Sequence, residues 1–242
     1  MKVALCLHGL FNSTQDRDSN GLDGYHYIKK HILDKFDTDV YIHSWECDKI
    51  GKINELYNPK ISAYQQQIDF SDIVKERKLD TLRGTPRAPH TILSHLYSVT
   101  QSIKLAYESG NDYDLIIKAR FDLGRINRKS AGPFNLENPY PVQCISFENK
   151  IQSDKIYLAD WNYFHMGPAD MWFYGSKNIM KPFTHLYDDL YDEFKLDSPF
   201  HQYAHTIEGN SGDLSNAVAF YKYWMIRNGL WQNKIKLNTI WE

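Results

Sequence analysis

This sequence of 242 residues predicts an α/β fold, with a mostly parallel central sheet and flanking helices, on three observations. Residues 2–10 (KVALCLHGL) form a near-continuous apolar run with a glycine at its end, the mark of a buried strand. A helical stretch and a second run, residues 40–45 (VYIHSW), follow it, giving the strand–helix–strand unit that a parallel, helix-covered sheet needs. A third apolar run, residues 114–119 (DLIIKA), comes directly after a long amphipathic segment.

Taken in order, residues 12–24 read as a polar, glycine-containing loop. Residues 25–36 read as a helix with its apolar face on Tyr27, Ile28, Ile32, Leu33 and Phe36. Residues 48–90 are polar, hold Pro59, Pro86 and Pro89 and carry a basic stretch over 75–87; they read as a long excursion with short helices, a flap over a site. Residues 91–109 predict a helix with Thr91 as N-cap, an apolar face on Ile92, Leu96, Val99, Ile103 and Ala106, and Gly110 as its end. The strand at 114–119 delivers Arg120-Phe121-Asp122 at its carboxyl end. After a loop rich in Gly, Arg and Pro, strands are expected at 141–147, 155–159 and 171–174, and helices at 177–194 and 216–228. There is no internal repeat or low-complexity segment, and the length suits one substantial domain.

Composition excludes several classes. Twenty-eight basic residues against 30 acidic ones leave a charge of −2, so neither general nucleic-acid binding nor an anionic membrane is indicated. No run approaches the length of a membrane span, and the amino terminus already reads as a strand rather than a signal peptide. The three cysteines, Cys6, Cys47 and Cys144, lack metal-ligand spacing; they read as reduced core residues, and the expected location is cytoplasmic. Asn12-Ser13-Thr14 matches a glycosylation acceptor that has no secretory signal to use it. Ten histidines include His26 and His31, five apart, and His201 and His205, four apart, but no frame for zinc. Aromatic content is 14%, enough to supply stacking faces for a base or a sugar besides filling the core.

Ligands of open α/β sheets bind outside the carboxyl ends of the strands. That singles out His8-Gly9, Ser44-Trp45, Arg120-Phe121-Asp122 and Asp160. Asp122 can hold a divalent cation or a ribose hydroxyl, and Arg120 can neutralise a pyrophosphate through paired hydrogen bonds; the plainer account is an Arg–Asp pair that closes the strand end. Arg125, Arg128 and Lys129 could grip an acidic acceptor or form a solvated face.

The succession DVYIHSWE, SHLYSVTQSIKLAYE and YDLIIKARFDL resembles small GT-A-type glycosyltransferases, which occur in bacterial polysaccharide clusters and in large viruses and phages. The resemblance covers residues 1–123 and continues more weakly through DMWFYGSKNIM (170–180). It implies a Rossmann-like GT-A fold for residues 1–242, with a nucleotide-sugar-binding half at 1–123 and an acceptor-side half at 124–242. It implies transfer of a hexosyl or pentosyl group from a nucleoside-diphosphate donor to a glycan or other hydroxyl acceptor. His8, Gly9, Ser44 and Trp45 would line the nucleotide end, and Arg120 and Asp122 would meet the diphosphate. Asp122 would be the ligand of any metal, Mn²⁺ or Mg²⁺. Arg120 stands where the group carries a first Asp, and one carboxylate is a poor site for a hard cation unless the diphosphate completes it.

Transfer also needs a base for the acceptor hydroxyl. Asp170, after the Gly167-Pro168 turn, is the first candidate, followed by Glu208 and Asp213; a solvated loop acid or a helix cap is the alternative for each. Two rivals stand beside this reading. A nucleotide- or sugar-binding module without catalysis fits the missing Asp equally well. An α/β-hydrolase fits LCLHGLFNS but lacks its G-x-S-x-G elbow, since Gly209-Asn210-Ser211-Gly212 is one residue short and follows no strand.

Overall fold

A computed structural model describes residues 1–11, 20–79, 88–127, 140–141, 143–210 and 212–238. Their elements run β1 (Lys2–Gly9), α1 (Asn20–Ile28), β2 (Asp37–Ser44), α2 (Ile50–Tyr57), β3 (Ile61–Tyr64), α3 (Ser71–Glu76), α4 (Ala88–Glu108) and β4 (Leu115–Arg120). There follow β5 (Ile126–Asn127), β6 (Tyr140–Pro141), β7 (Ile156–Asp160), β8 (Trp172–Gly175), α5 (Lys177–Met180), α6 (Leu186–Glu193), α7 (Pro199–Thr206), α8 (Ala217–Arg227) and β9 (Lys234–Asn238).

Seven strands make one sheet in the order β3-β2-β1-β4-β8-β7-β9. The first four are mutually parallel, β8 runs antiparallel to both its neighbours, and β9 returns parallel to β7. The protein is thus α/β, with a mostly parallel mixed sheet and flanking helices, compatible with a Rossmann-like fold. Strand alternation divides the core. Val3, Leu5, Leu7, Val40, Ile42, Ile117 and Ala119 pack with α1 and α2 on one face. Ala4, Cys6, Tyr41, Ile116 and Phe173 pack with α4, α6 and α8 on the other.

Glycine sets how closely α1 approaches. A Cβ on Gly24 would collide with the Phe121 carbonyl, so the helix can lie directly on the turn that follows β4. Gly9, with φ +92°, occupies the left-handed region at the end of β1.

Several expectations change. Residues 20–24 belong to α1, and Lys29–Leu33 continues it as a π-helix. The 48–90 excursion is no simple flap: Ile61–Tyr64 extends the sheet by pairing with β2, while Ile53, Tyr57, Phe70, Ile73 and Val74 are buried. Thr91 is no N-cap, because α4 already includes Ala88, and Pro89 sits in its first turn, where a missing N–H is harmless. Of the 141–147 strand only Pro141 pairs among the described residues, as part of Tyr140–Pro141 against β5. Beyond it the backbone is satisfied by aromatic tips: Trp172 Nε1 donates to the Cys144 carbonyl at 3.2 Å, and the Ile145 N–H donates to the Tyr27 hydroxyl at 3.1 Å. The 177–194 helix is broken into α5, a 3₁₀ turn and α6, because Pro182 cannot supply a helical N–H. Cys6 and Cys144 are buried as expected, but Cys47 is exposed. Among the described residues no helix is long and apolar enough to cross a membrane.

Candidate active site

The chain leaves β1 for β2 and β3 on one side and comes back as β4 on the other, so the strand order reverses between β1 and β4. Connections diverge to opposite faces at such a point, and the crevice they leave outside the carboxyl ends is where α/β sheets bind ligands. Here it is a pocket of about 440 Å³. His8 and Gly9 from β1, Trp45 after β2 and Arg120 and Asp122 from the end of β4 line it, together with Asp170 before β8. Helix α4 contributes Thr91, Ile92, Ser94 and His95, and Leu10, Gln67, Ser215 and Ala217 are the other lining residues among those described.

Alternation explains the polar row. His43, His8 and Arg120 are register partners across β2, β1 and β4, and Lys118 lies two residues before Arg120 on the same face. Helix α4 covers this row. Ser98 accepts the Gly9 N–H at 2.9 Å and donates to the His43 carbonyl at 3.2 Å. With its only proton so used, it receives the Nδ1 proton of His43 at 2.7 Å. One helical turn earlier, His95 meets His8 edge-on at 5.1 Å between ring centroids and lies 3.0 Å from the Tyr221 hydroxyl.

Arg120 is the centre of charge. Its Nε and Nη2 donate to the two Asp122 oxygens, each at 2.9 Å, and its Nη1 donates to Asp170 at 3.1 Å. Arg125 adds a bond to Asp122 at 3.1 Å. Burial opposes the Arg120 charge, but Asp122 and Asp170 outweigh it and hold the guanidinium firmly protonated. Burial likewise favours neutral Asp170, yet Arg120, His95 and Lys118 pull its carboxyl down to about 2.

Lys118 is fully buried, donates to the Asp170 carbonyl and lies over the rings of Phe173 and Tyr221 at 5.1 and 5.6 Å. Desolvation lowers its amine to about 7 despite Asp170. The same desolvation, aided by Lys118, brings His95 to about 3 and His8 well below the usual histidine range. Both imidazoles are therefore neutral.

The pocket gathers His8, Gly9, Trp45, Arg120, Asp122 and Asp170 from the sequence candidates. Ser44 is buried inside β2, where its hydroxyl accepts the Glu46 N–H at 3.2 Å. Glu208 is exposed and outside the lining. Asp213 accepts from the N–H and hydroxyl of Ser215 at 2.8 and 2.6 Å, a turn cap standing behind a lining residue. Arg128, Lys129 and Ser211 lie outside the described residues, as does the Asn12-Ser13-Thr14 motif. His201 and His205 contact each other on α7, with their Nε2 atoms 3.3 Å apart.

A divalent cation does not fit Asp122, because guanidinium groups already occupy both its oxygens. Among the described residues no three His, Cys, Asp or Glu side chains converge to hold one. Arg120 and Arg125 already balance Asp122 and Asp170, which leaves no spare carboxylate for a cation.

Sequence reading missed Lys118 and His95, although both left a trace. Lys118 interrupts the apolar run of β4 two residues before Arg120, and His95 falls between Ile92 and Val99 on the buried face of α4. No family model matches the chain, and no curated protein does. What the site can do rests on its own chemistry.

Proposed function

We propose that the protein is a glycosyltransferase of the GT-A type, moving a sugar from a nucleoside-diphosphate donor to an acceptor hydroxyl. The observation that carries this reading is Arg120 at the strand-order reversal. Of its five N–H donors, three are bound to Asp122 and Asp170 among the described residues, leaving two for an oxyanion in the pocket. The two carboxylates hold the guanidinium in place before any ligand arrives. Preorganised charge of this kind stabilises a diphosphate as it leaves the anomeric carbon.

The remaining wall suits the rest of such a donor. Trp45 stacks on Tyr97 at 5.4 Å between centroids, which fixes an indole face for a base or sugar ring. Ser94, Thr91, Gln67 and Ser215 offer neutral hydrogen-bonding groups. The volume of about 440 Å³ falls within the roughly 300–1,000 Å³ usual for small-molecule sites. The resemblance of residues 1–123 to GT-A-type enzymes supports the same assignment, with the donor on that half and the acceptor approaching from 124–242.

Thermal unfolding with UDP-, GDP-, CMP- and dTDP-sugars, with and without Mn²⁺, tests it. At a hundredfold excess over Kd the matching donor contributes about 2.7 kcal/mol, a rise of about 5–10 °C for a chain of this size. Asp122→Ala, which frees Arg120, should lose most of that rise. A melting temperature unmoved by every donor in the unmutated protein would overturn the reading. A rise without any sugar release would leave a binding module.

A further inference from the structure

Transfer to a hydroxyl requires a group that takes its proton. Among the described residues the titratable side chains lining the pocket are His8, His95, Arg120, Asp122 and Asp170. Four of them are committed. Arg120 is a permanent cation. Both Asp122 oxygens accept from guanidinium groups. Asp170 accepts from Arg120 at 3.1 Å and, held at about 2, is a feeble base. His95 lies 3.0 Å from the Tyr221 hydroxyl. His8 is different. It lines the pocket, its exposure is 1%, and neither ring nitrogen has a hydrogen-bond partner among the described residues. A buried polar group left unpaired in a pocket wall calls for a partner that the ligand brings.

We propose, building on the transferase reading, that His8 is the catalytic base for the acceptor hydroxyl. As the hydroxyl oxygen bonds to the anomeric carbon, its proton passes to the free imidazole nitrogen. The bond from that carbon to the diphosphate breaks, and the electron pair leaves on the diphosphate oxygen, which Arg120 holds. The imidazolium then returns its proton to water. This is a single displacement, so the anomeric centre inverts.

Two features of the fold support the assignment. His8 and Arg120 are register partners on adjacent strands, whose axes lie about 4.8 Å apart. One can therefore touch the attacking oxygen while the other touches the leaving oxygen. The second is electrostatic. Burial, together with Lys118 and Arg120 from β4, His95 from α4 and His43 from β2, keeps the free ring neutral and opposes its protonation. A diphosphate on Arg120 offsets the guanidinium charge and makes the ring more basic where the proton arrives.

The test uses His8→Gln and His8→Ala in the full chain, with the sugar donor that stabilises the unmutated protein and water as acceptor. Both variants should keep the donor-induced rise in melting temperature to within about 2 °C. Both should release free sugar at least about a hundredfold more slowly, within the range expected of a lost base. Added imidazole should restore part of the rate to His8→Ala, and the unmutated product should be inverted. Full-rate release by His8→Gln, loss of the donor-induced rise in both variants, or retained configuration would overturn the role of His8 while leaving the transferase reading intact. If the unmutated protein releases no sugar from any donor, the transferase reading fails and takes this assignment with it.

Discussion

On β1, β2 and β4 the side chains directed to α1 and α2 are Val3, Leu5, Leu7, Val40, Ile42, Ile117 and Ala119, all apolar and buried. The side chains directed to α4 begin the same way, with Ala4, Cys6, Tyr41 and Ile116, then end in His8, His43, Lys118 and Arg120. The same three strands thus carry one apolar face and one that is apolar in its middle and polar and buried at its carboxyl end. Burying polar groups opposes folding unless each finds a partner. Confining the buried ones to the last rungs keeps that opposition small and puts Lys118, Arg120, His8 and His43 at the strand-order reversal. Both faces bury an apolar core, and the carboxyl end of the α4 face alone lines the candidate site.

Arg120→Met is the most severe way to break this comparison. It strands the Asp170 carboxylate and leaves Asp122 with Arg125, and removing one partner from a buried ion cluster costs about 3–5 kcal/mol. A large fall in the urea midpoint should accompany complete loss of the donor-induced melting rise. Leu5→Ala strikes the apolar face of the neighbouring strand. Calorimetry should show a loss of about 2–5 kcal/mol, typical of a leucine removed from a core, with the donor-induced rise preserved. If Leu5→Ala also abolished ligand stabilisation, the division of labour between the faces would be wrong.

Lys118→Met is the gentlest probe. The buried amine titrates near 7 in the folded chain against an ordinary 10.5. Between those values the unfolded chain binds a proton that the folded one does not, so stability rises with pH; below about 7 the full opposition remains. Urea midpoints at pH 7 and pH 9 should therefore differ more in the unmutated protein than in Lys118→Met, with the rise towards pH 9.

The strands β1, β2 and β4 were legible because an apolar run with period-two burial is a local pattern, and the same holds for α8 with its Asn216 cap. The edge strand β3 was not, since ISAY is short and half polar, and it becomes a strand only by pairing with β2. The break at Pro182 was missed, although the residue's lack of an N–H is a local signal for it. In the site, Arg120 and Asp122 were visible as polar residues at a strand end. The commitment of Asp170 to Arg120, 50 residues away, was not.

By itself the sequence determined an α/β chain and the residue types delivered at the carboxyl ends of its parallel strands, because alternation and apolar runs act over a few neighbouring residues. Tertiary structure alone decided the strand order, the placing of antiparallel β8 so that Asp170 meets Arg120, and the laying of α4 so that His95 meets His8. It thereby turned Asp170 from a free carboxylate into a guanidinium clamp and left His8 neutral and, among the described residues, unpaired. The physical reason is that charge, desolvation and hydrogen bonding depend on separations of a few ångströms in space, which residues distant in the chain reach only once the sheet has closed around them.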